Sequence, residues 1–247
     1  MDNNFSIVFG IRAVIEAINA DKTVSKVFLQ KNDSNSSLLS QLSPLLKENH
    51  ISTSYVPVEK LNKLSKNGNH QGVVARISPI KFHELDEILQ NSKNLSKTPL
   101  FLILDNISDV RNFGAIIRTA ECTGVTAIII QKQGNAPINA ATVKTSAGAA
   151  FNVPICKVDH IKDAIFQFQA EEIQLIAATE KTDKLVYDVD FTKPTAIIMG
   201  SEEKGIHPSV LKLVNEKVSL PILGEIESLN VSVACGSVLY EAVRQRL

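Results

Sequence analysis

Hydrophobic and polar positions change their rhythm about a third of the way along the chain. Residues 11–18 (IRAVIEAI) place apolar side chains at helical spacing, 24–29 (VSKVFL) alternate like a half-buried strand, 38–49 read as a helix and 73–77 (VVARI) again as a strand. Short elements of both kinds between polar turns predict a small α/β unit over residues 1–80. The following segment holds Pro79 and the polar run QNSKN at 90–94, so residues 81–98 are expected to be a linker with at most one short helix at 83–89.

From residue 99 to 247 the pattern becomes strand, helix, strand. The runs 100–104 (LFLIL), 127–130, 173–178 and 196–199 are continuously apolar, as parallel strands covered on both faces must be. Between them 115–122, 160–169 and 208–214 have helical character, the last opened by a proline. This predicts a parallel sheet with helices on both sides. The last stretch, 228–246, opens with Ser and Asn suited to capping, then carries apolar residues on too many faces for a helix that touches one surface. A second copy of the chain would cover the excess.

Composition narrows the class. With 44% hydrophobic and 21% charged residues the chain has ample core-forming material, which excludes disorder, collagen and coiled coil. No apolar run reaches the roughly 18 residues of a membrane span, and the first four residues, MDNN, lack the features of a secretory signal. Cys122, Cys156 and Cys235 have neither disulfide nor metal-ligand spacing. A cytoplasmic protein without membrane or metal is expected. Net charge is zero, but residues 1–81 hold ten Lys and Arg against six Asp and Glu, a balance of +4 that leaves −4 for the remainder. A polyanion meets the N-terminal part more readily.

Three polar, glycine-containing segments each follow an apolar strand: 105–118 (DNISDVRNFGAIIR), 200–205 (GSEEKG) and 220–230 (LPILGEIESLN). Ligands bind at the carboxyl ends of strands in open α/β sheets, so the three can form one pocket. The familiar alternatives fail on their own residues. Ile206 follows Gly205 where a phosphate loop requires Lys, no G-x-G-x-x-G follows a strand, and no G-x-S-x-G surrounds Ser201 or Ser228. The five histidines show no ligand spacing.

The segments NFGAIIRTA (112–120), MGSEEKG (199–205) and SLNVSVA (228–234) closely resemble, in this order, the three motifs of the SpoU group of SPOUT RNA methyltransferases. The resemblance runs from about residue 99 to the C-terminus. FGIRAV (9–14) and HQGVVA (70–75) are similar to segments of the ribosomal-protein-like RNA-binding domain that precedes the catalytic domain in ribosomal guanosine 2′-O-methyltransferases. The resemblance implies an α/β fold with a deep trefoil knot, S-adenosylmethionine as cofactor, a homodimer, and structured RNA as partner, ribosomal RNA before transfer RNA.

It also implies the site. Arg118 becomes the central catalytic residue, and Asn112, Glu202, Ser228 and Asn230 occupy the polar motif positions. Gly200, Leu220 and Leu229 are expected to contact the cofactor, with Thr179 near its ribose; Lys144 and Arg111 are candidates for RNA phosphates. Methylating a 2′-hydroxyl needs the donor held in line with the oxygen and a group that takes or stabilises the proton and developing charge. A guanidinium stays protonated in proteins, so Arg118 fits a phosphate or the forming alkoxide, and Glu202 fits an orienting role or proton acceptance through water. Taken singly, each residue has a plain structural role: Ser228 or Asn230 a helix cap, Asn112 a turn residue, Arg118 a surface cation. Two other readings stand beside the enzyme on ribosomal RNA: the same chemistry on transfer RNA, and a non-catalytic RNA-binding assembly factor. In Val110, two residues before the motif asparagine, the chain departs from relatives that carry proline there.

Overall fold

The computed structural model describes residues 6–19, 22–31, 37–94 and 97–247. The chain forms two compact units, one of residues 1–81 with 138–140 and one of 82–137 with 141–247.

The first unit runs β1 (Ser6–Phe9), α1 (Ile11–Asn19), β2 (Val24–Gln30), α2 (Ser37–Glu48), β3 (Thr53–Val56), α3 (Val58–Ser65) and β4 (Val73–Ile77). Its sheet has the order β1-β4-β2-β3, with β4 antiparallel to both neighbours and β2 parallel to β3. Adjacent residues of a strand face opposite sides. Val27 and Val73 accordingly pack with Ile11 and Val14 of α1 and Leu42 of α2, while Phe28 and Val74 pack with Leu61 of α3.

The second unit continues with α4 (Leu85–Ser92), β5 (Leu100–Asp105), α5 (Val110–Cys122), β6 (Ala127–Gln131), α6 (Ala140–Thr145), β7 (Ile155–Val158), α7 (Ile161–Ala170), β8 (Gln174–Ala178), β9 (Thr195–Gly200), α8 (Pro208–Leu211), β10 (Glu216–Val218) and α9 (Val231–Arg246). Six strands in the order β10-β8-β9-β5-β6-β7 form a wholly parallel sheet. The central β5 and β9 are buried at every residue, which is why they read as unbroken apolar runs. Phe101, Ile103, Ala196 and Ile198 pack with Ile165 and Phe168 of α7 and with Leu85 and Leu89 of α4. The intervening residues of these strands turn to the other face, where Met199 shares a cavity wall with Ala234 and Val238 of α9.

Within the stretch expected as a linker, the short helix expected at 83–89 forms as α4 at Leu85–Ser92, and it is packed into the second unit. Leu85, Ile88 and Leu89 of α4 are buried in the core of the second unit, and His83 N–H donates to the Ile155 carbonyl at 3.0 Å. The polar run at 90–94 that suggested a connector lies at the end of α4 and just beyond it, and the apolar stripe ahead of it is long enough to bury one side.

Candidate active site

Because the sheet is parallel, Asp105, Ala178, Gly200 and Val218 end their strands at one edge. The loops that leave this edge carry the site. Asp109 caps α5: its Oδ1 accepts from Arg111 N at 2.9 Å and Asn112 N at 2.8 Å, which fixes Asn112 in the first turn. Asn230 caps α9 in the same way, its Oδ1 accepting from Ser232 N at 3.0 Å and Val233 N at 3.4 Å. Between them the loop after β9 folds back tightly: Gly205 N–H reaches Ser201 O at 2.8 Å, and a Cβ on Gly200 would lie 2.1 Å from the Gly205 carbonyl carbon. Only glycine fits at position 200.

These three loops meet through one amide. Asn230 Nδ2 donates to Asn112 Oδ1 at 3.1 Å and to Glu202 Oε1 at 2.6 Å, and Val231 N–H donates to the same Glu202 oxygen at 3.2 Å. Since Asn230 Oδ1 is held by two backbone N–H groups, its Nδ2 has to face the pair, and the side chain is wholly committed within the protein. Asn112 spends its oxygen on this bond and keeps its Nδ2 as a donor; Glu202 keeps Oε2 as an acceptor.

Beside this cluster lies a cleft of about 410 Å³ lined by Thr179, Gly200, Ser228 and Leu229, with Glu202 and Asn230 on its wall. A smaller cavity of about 100 Å³ adjoins it, sharing Thr179, Met199, Ser228 and Leu229 and adding the apolar Val218, Leu220 and Val238. Of the four residues expected at the cofactor, Thr179 and Leu229 border both cavities, Gly200 the cleft and Leu220 the smaller one. Ser228 lies in the same wall. An apolar recess with backbone groups and carboxylates at its mouth fits an adenosyl group carrying a cationic tail. Cys235 is wholly buried in α9 and burial pushes its thiol up to about 12, so no thiolate serves this site.

Arg118 stands apart. It is exposed, and its side chain has no hydrogen bond or ion pair among the described residues. Six positions after Asn112 on α5, it lies about 9 Å further along the axis and about a third of a turn round it. One chain does not bring Arg118 to the Asn112, Glu202 and Asn230 cluster. Arg111 and Lys144 are likewise exposed.

Two carboxylates escaped the sequence reading. Asp109 is the cap just described. Asp105 is only 3% exposed, and its oxygens accept from Asn106 Nδ2 and from His207 N–H, both at 2.8 Å, tying the end of β5 to the loop after β9. An acidic residue closing an apolar strand was the available signal. Among the described residues no group of three or more His, Cys, Asp or Glu could hold a metal, and no helix is long and apolar enough to cross a membrane.

Comparison with known proteins assigns this architecture to a class. The SpoU rRNA methylase family model matches residues 99–240, and a model described as RNA 2′-O ribose methyltransferase substrate binding matches residues 7–83. The chain belongs to the SpoU rRNA methylase family. It is 34% identical to the 23S rRNA (guanosine-2′-O-)-methyltransferase RlmB of Photobacterium profundum, over 97% of this chain and 98% of the relative. Among solved structures it is similar to the SpoU methyltransferase AviRb of Streptomyces viridochromogenes with bound S-adenosylmethionine, at 26% identity and a TM-score of 0.62, covering 97% of this chain and 90% of the other. It is also similar to the TrmH/SpoU tRNA modifying enzyme of A. aeolicus, at 32% identity and a TM-score of 0.56, over 66% of this chain and 84% of that one.

Proposed function

We propose that this chain transfers a methyl group from S-adenosylmethionine to the 2′-hydroxyl of a guanosine ribose in large-subunit ribosomal RNA. The observation that carries the reading is the hydrogen-bonded meeting of Asn112, Glu202 and Asn230 beside the cleft bordered by Thr179, Gly200 and Leu229, which adjoins the smaller cavity of Leu220. When bound, the cofactor supplies an electrophilic methyl group on a sulfonium.

The chain's own residues supply position and charge. Leu220 and Leu229 would hold the adenosyl group by apolar contact, Thr179 would offer its hydroxyl to the ribose, and the bare backbone of Gly200 would admit close approach. Ser228 lends a hydroxyl at the same wall. Asn112 presents the free Nδ2 donor to an oxygen of the substrate, and Glu202 uses its free oxygen to receive the hydroxyl proton through water. Asn230 acts as a positioning residue that fixes both. Arg118 remains cationic and stabilises the developing alkoxide or the neighbouring phosphate.

Since Arg118 does not reach the cluster of its own chain, the complete site is assigned to a homodimer in which α5 of one copy serves the cleft of the other. The face of α9 that carries Val233 and Tyr240, 54% and 55% exposed, supports such a partner. The deep trefoil knot and a cytoplasmic location belong to the same proposal. The first unit is read as the RNA-binding domain, with a boundary near residue 81 in place of a linker. Its balance of +4 supports an RNA partner, and its match to a substrate-binding domain of RNA 2′-O ribose methyltransferases, beside full-length similarity to a 23S rRNA enzyme, supports ribosomal over transfer RNA.

The test is transfer of labelled methyl to unmodified ribosomal RNA and, separately, unmodified transfer RNA, followed by nucleoside analysis. Label in 2′-O-methylguanosine from ribosomal RNA alone is expected. Label from transfer RNA alone overturns the substrate, and cofactor or RNA binding without transfer to either RNA or to an assembling subunit makes the chain a non-catalytic assembly factor.

A further inference from the structure

We propose that a second groove on the catalytic unit binds the phosphodiester backbone of the RNA strand flanking the methylated nucleotide, an inference that rests on the RNA reading above. The groove, about 450 Å³, opens at the carboxyl ends of β5 and β6 and reaches the first turn of α7. Its side chains are donors. His160 and Lys162 flank the start of α7, both exposed and with no side-chain hydrogen bond or ion pair among the described residues, and Gln133 adds an exposed amide. Opposite them, His207 Nδ1 accepts from Ser209 N at 3.2 Å and lies 2.8 Å from Ser209 Oγ. With Nδ1 engaged by Ser209, the other ring nitrogen, Nε2, is the one left to donate to an occupant of the groove.

No carboxylate is open to an occupant of this groove. Asp105 is the one acidic residue in its wall, 3% exposed, with one oxygen taken by Asn106 and the other by His207 N–H. Yet the chain beyond residue 81 holds sixteen Lys and Arg against twenty Asp and Glu. A donor-lined groove without a free carboxylate on an acidic unit selects an anion.

Its course identifies which anion. The groove shares Asp105, Asn106, Gly134 and His207 with a neighbouring cavity of about 550 Å³ whose far wall carries Asn112 and Glu202. At the junction Gly134 has φ +88°, and the Asn106 side chain packs on its bare face, where a Cβ would lie 2.0 Å from Oδ1, so glycine adds no bulk of its own where the two cavities share their wall. A strand whose ribose sits at Asn112 and Glu202 can thus run on into the donor groove, where its phosphates meet His160, Lys162 and His207.

The experiment measures filter binding of unmodified ribosomal RNA over a range of salt concentrations. His160→Ala/Lys162→Ala is expected to raise Kd roughly tenfold and to lower the slope of log Kd against log salt by about one per lost phosphate contact. Lys162→Arg keeps the slope. Lys193→Ala, at the opposite edge of the sheet just before β9, also keeps it. S-adenosylmethionine binding without RNA reports that the double variant is folded; both side chains are exposed, and His160 makes no side-chain cap to α7. A folded double variant with wild-type Kd and slope overturns the groove alone. A wild-type protein that neither binds nor methylates RNA overturns the functional reading and the groove with it.

Discussion

Asn230 carries two duties that substitution can separate. Its oxygen caps α9, and its amide holds Asn112 and Glu202. Asn230→Ala removes both, and is expected to cost about 1 kcal/mol of stability from the cap and to lower methyl transfer more than tenfold. Asn230→Ser keeps an acceptor for the helix N-terminus but removes both amide donors. It should hold stability within about 0.5 kcal/mol of the parent while still losing more than tenfold in transfer, since Ser ranks with Asn as a cap. Chemical denaturation beside the methyl-transfer assay checks the pair; transfer at the parent rate in the Ser variant would show that the cap is the only duty. The sequence offers Ser228 and Asn230 equally as caps, and the structure uses Asn230. Nothing in spacing could reveal that its amide spans 118 positions to Asn112. That meeting is a product of the parallel sheet, which gathers the ends of distant strands, and the motif resemblance pointed to it without giving the contact.

At the scale of elements, close packing overrides local preference. Gly114 lies inside α5, where alanine is the better helix former by roughly 1 kcal/mol. A Cβ at 114, however, would sit 1.9 Å from Thr145 Oγ1 and 2.6 Å from Thr145 Cβ. Overpacking of this kind costs about 1–3 kcal/mol, so Gly114→Ala is expected to destabilise despite its propensity. Thr145→Ala added to it restores only part of the loss, because the Cβ contact stays; full restoration in a thermal melt would contradict the wedge. The same weak helix formers explain why periodicity starts this helix at 115, whereas it begins at Val110 under the Asp109 cap. Central strands were legible for the opposite reason. Leu100–Asp105 and Thr195–Gly200 are buried on both faces and leave continuous apolar runs, whereas the outer strands Ile155–Val158 and Glu216–Val218 are short, partly polar and give no signal.

The outer strand β7 also holds the clearest pH dependence. Burial, aided by Lys132, lowers the Lys157 ammonium from 10.5 to about 8, while the Phe82 ring, 3.9 Å from Nζ, favours its charged form. Below pH 8 both folded and unfolded chains hold this proton and the burial penalty is complete. Between about 8 and 10.5 the folded chain has lost it and the unfolded chain has not, so this residue makes stability rise with pH across that window. Lys157→Met should therefore stabilise by about 1–2 kcal/mol at pH 7, after the ring contact is offset, and the difference should vanish by about pH 10.5. Denaturant unfolding of both proteins across that range measures it; a gain that grows with pH has the wrong sign.

For the whole molecule, the decisive question is how a cation that faces away from its own cluster can serve it. Arg118 and Asn230 are both assigned to the reaction, yet Arg118 lies on another side of α5 from Asn112, so the reading requires Arg118 from one copy and Asn230 from another. Arg118→Ala is exposed and unpaired among the described residues, and should leave stability unchanged within about 0.5 kcal/mol while abolishing transfer. Asn230→Ala keeps less than a tenth of the parent transfer for its own reason. If the two impaired proteins are mixed in equal amounts and allowed to exchange subunits, half of the dimers become mixed, and in each of these one cleft receives an intact Arg118 and an intact Asn230. About a quarter of the parent activity should return, since one site in two is complete in half of the dimers. Were Arg118 to act within its own chain, every cleft in the mixture would lack one residue or the other, and activity would not rise above that of the unmixed proteins at any ratio. Native mass spectrometry, which separates the mixed dimer from both parents by mass, shows whether exchange has taken place, so a silent mixed dimer places the arginine in its own site, and a recovered one places it across the interface.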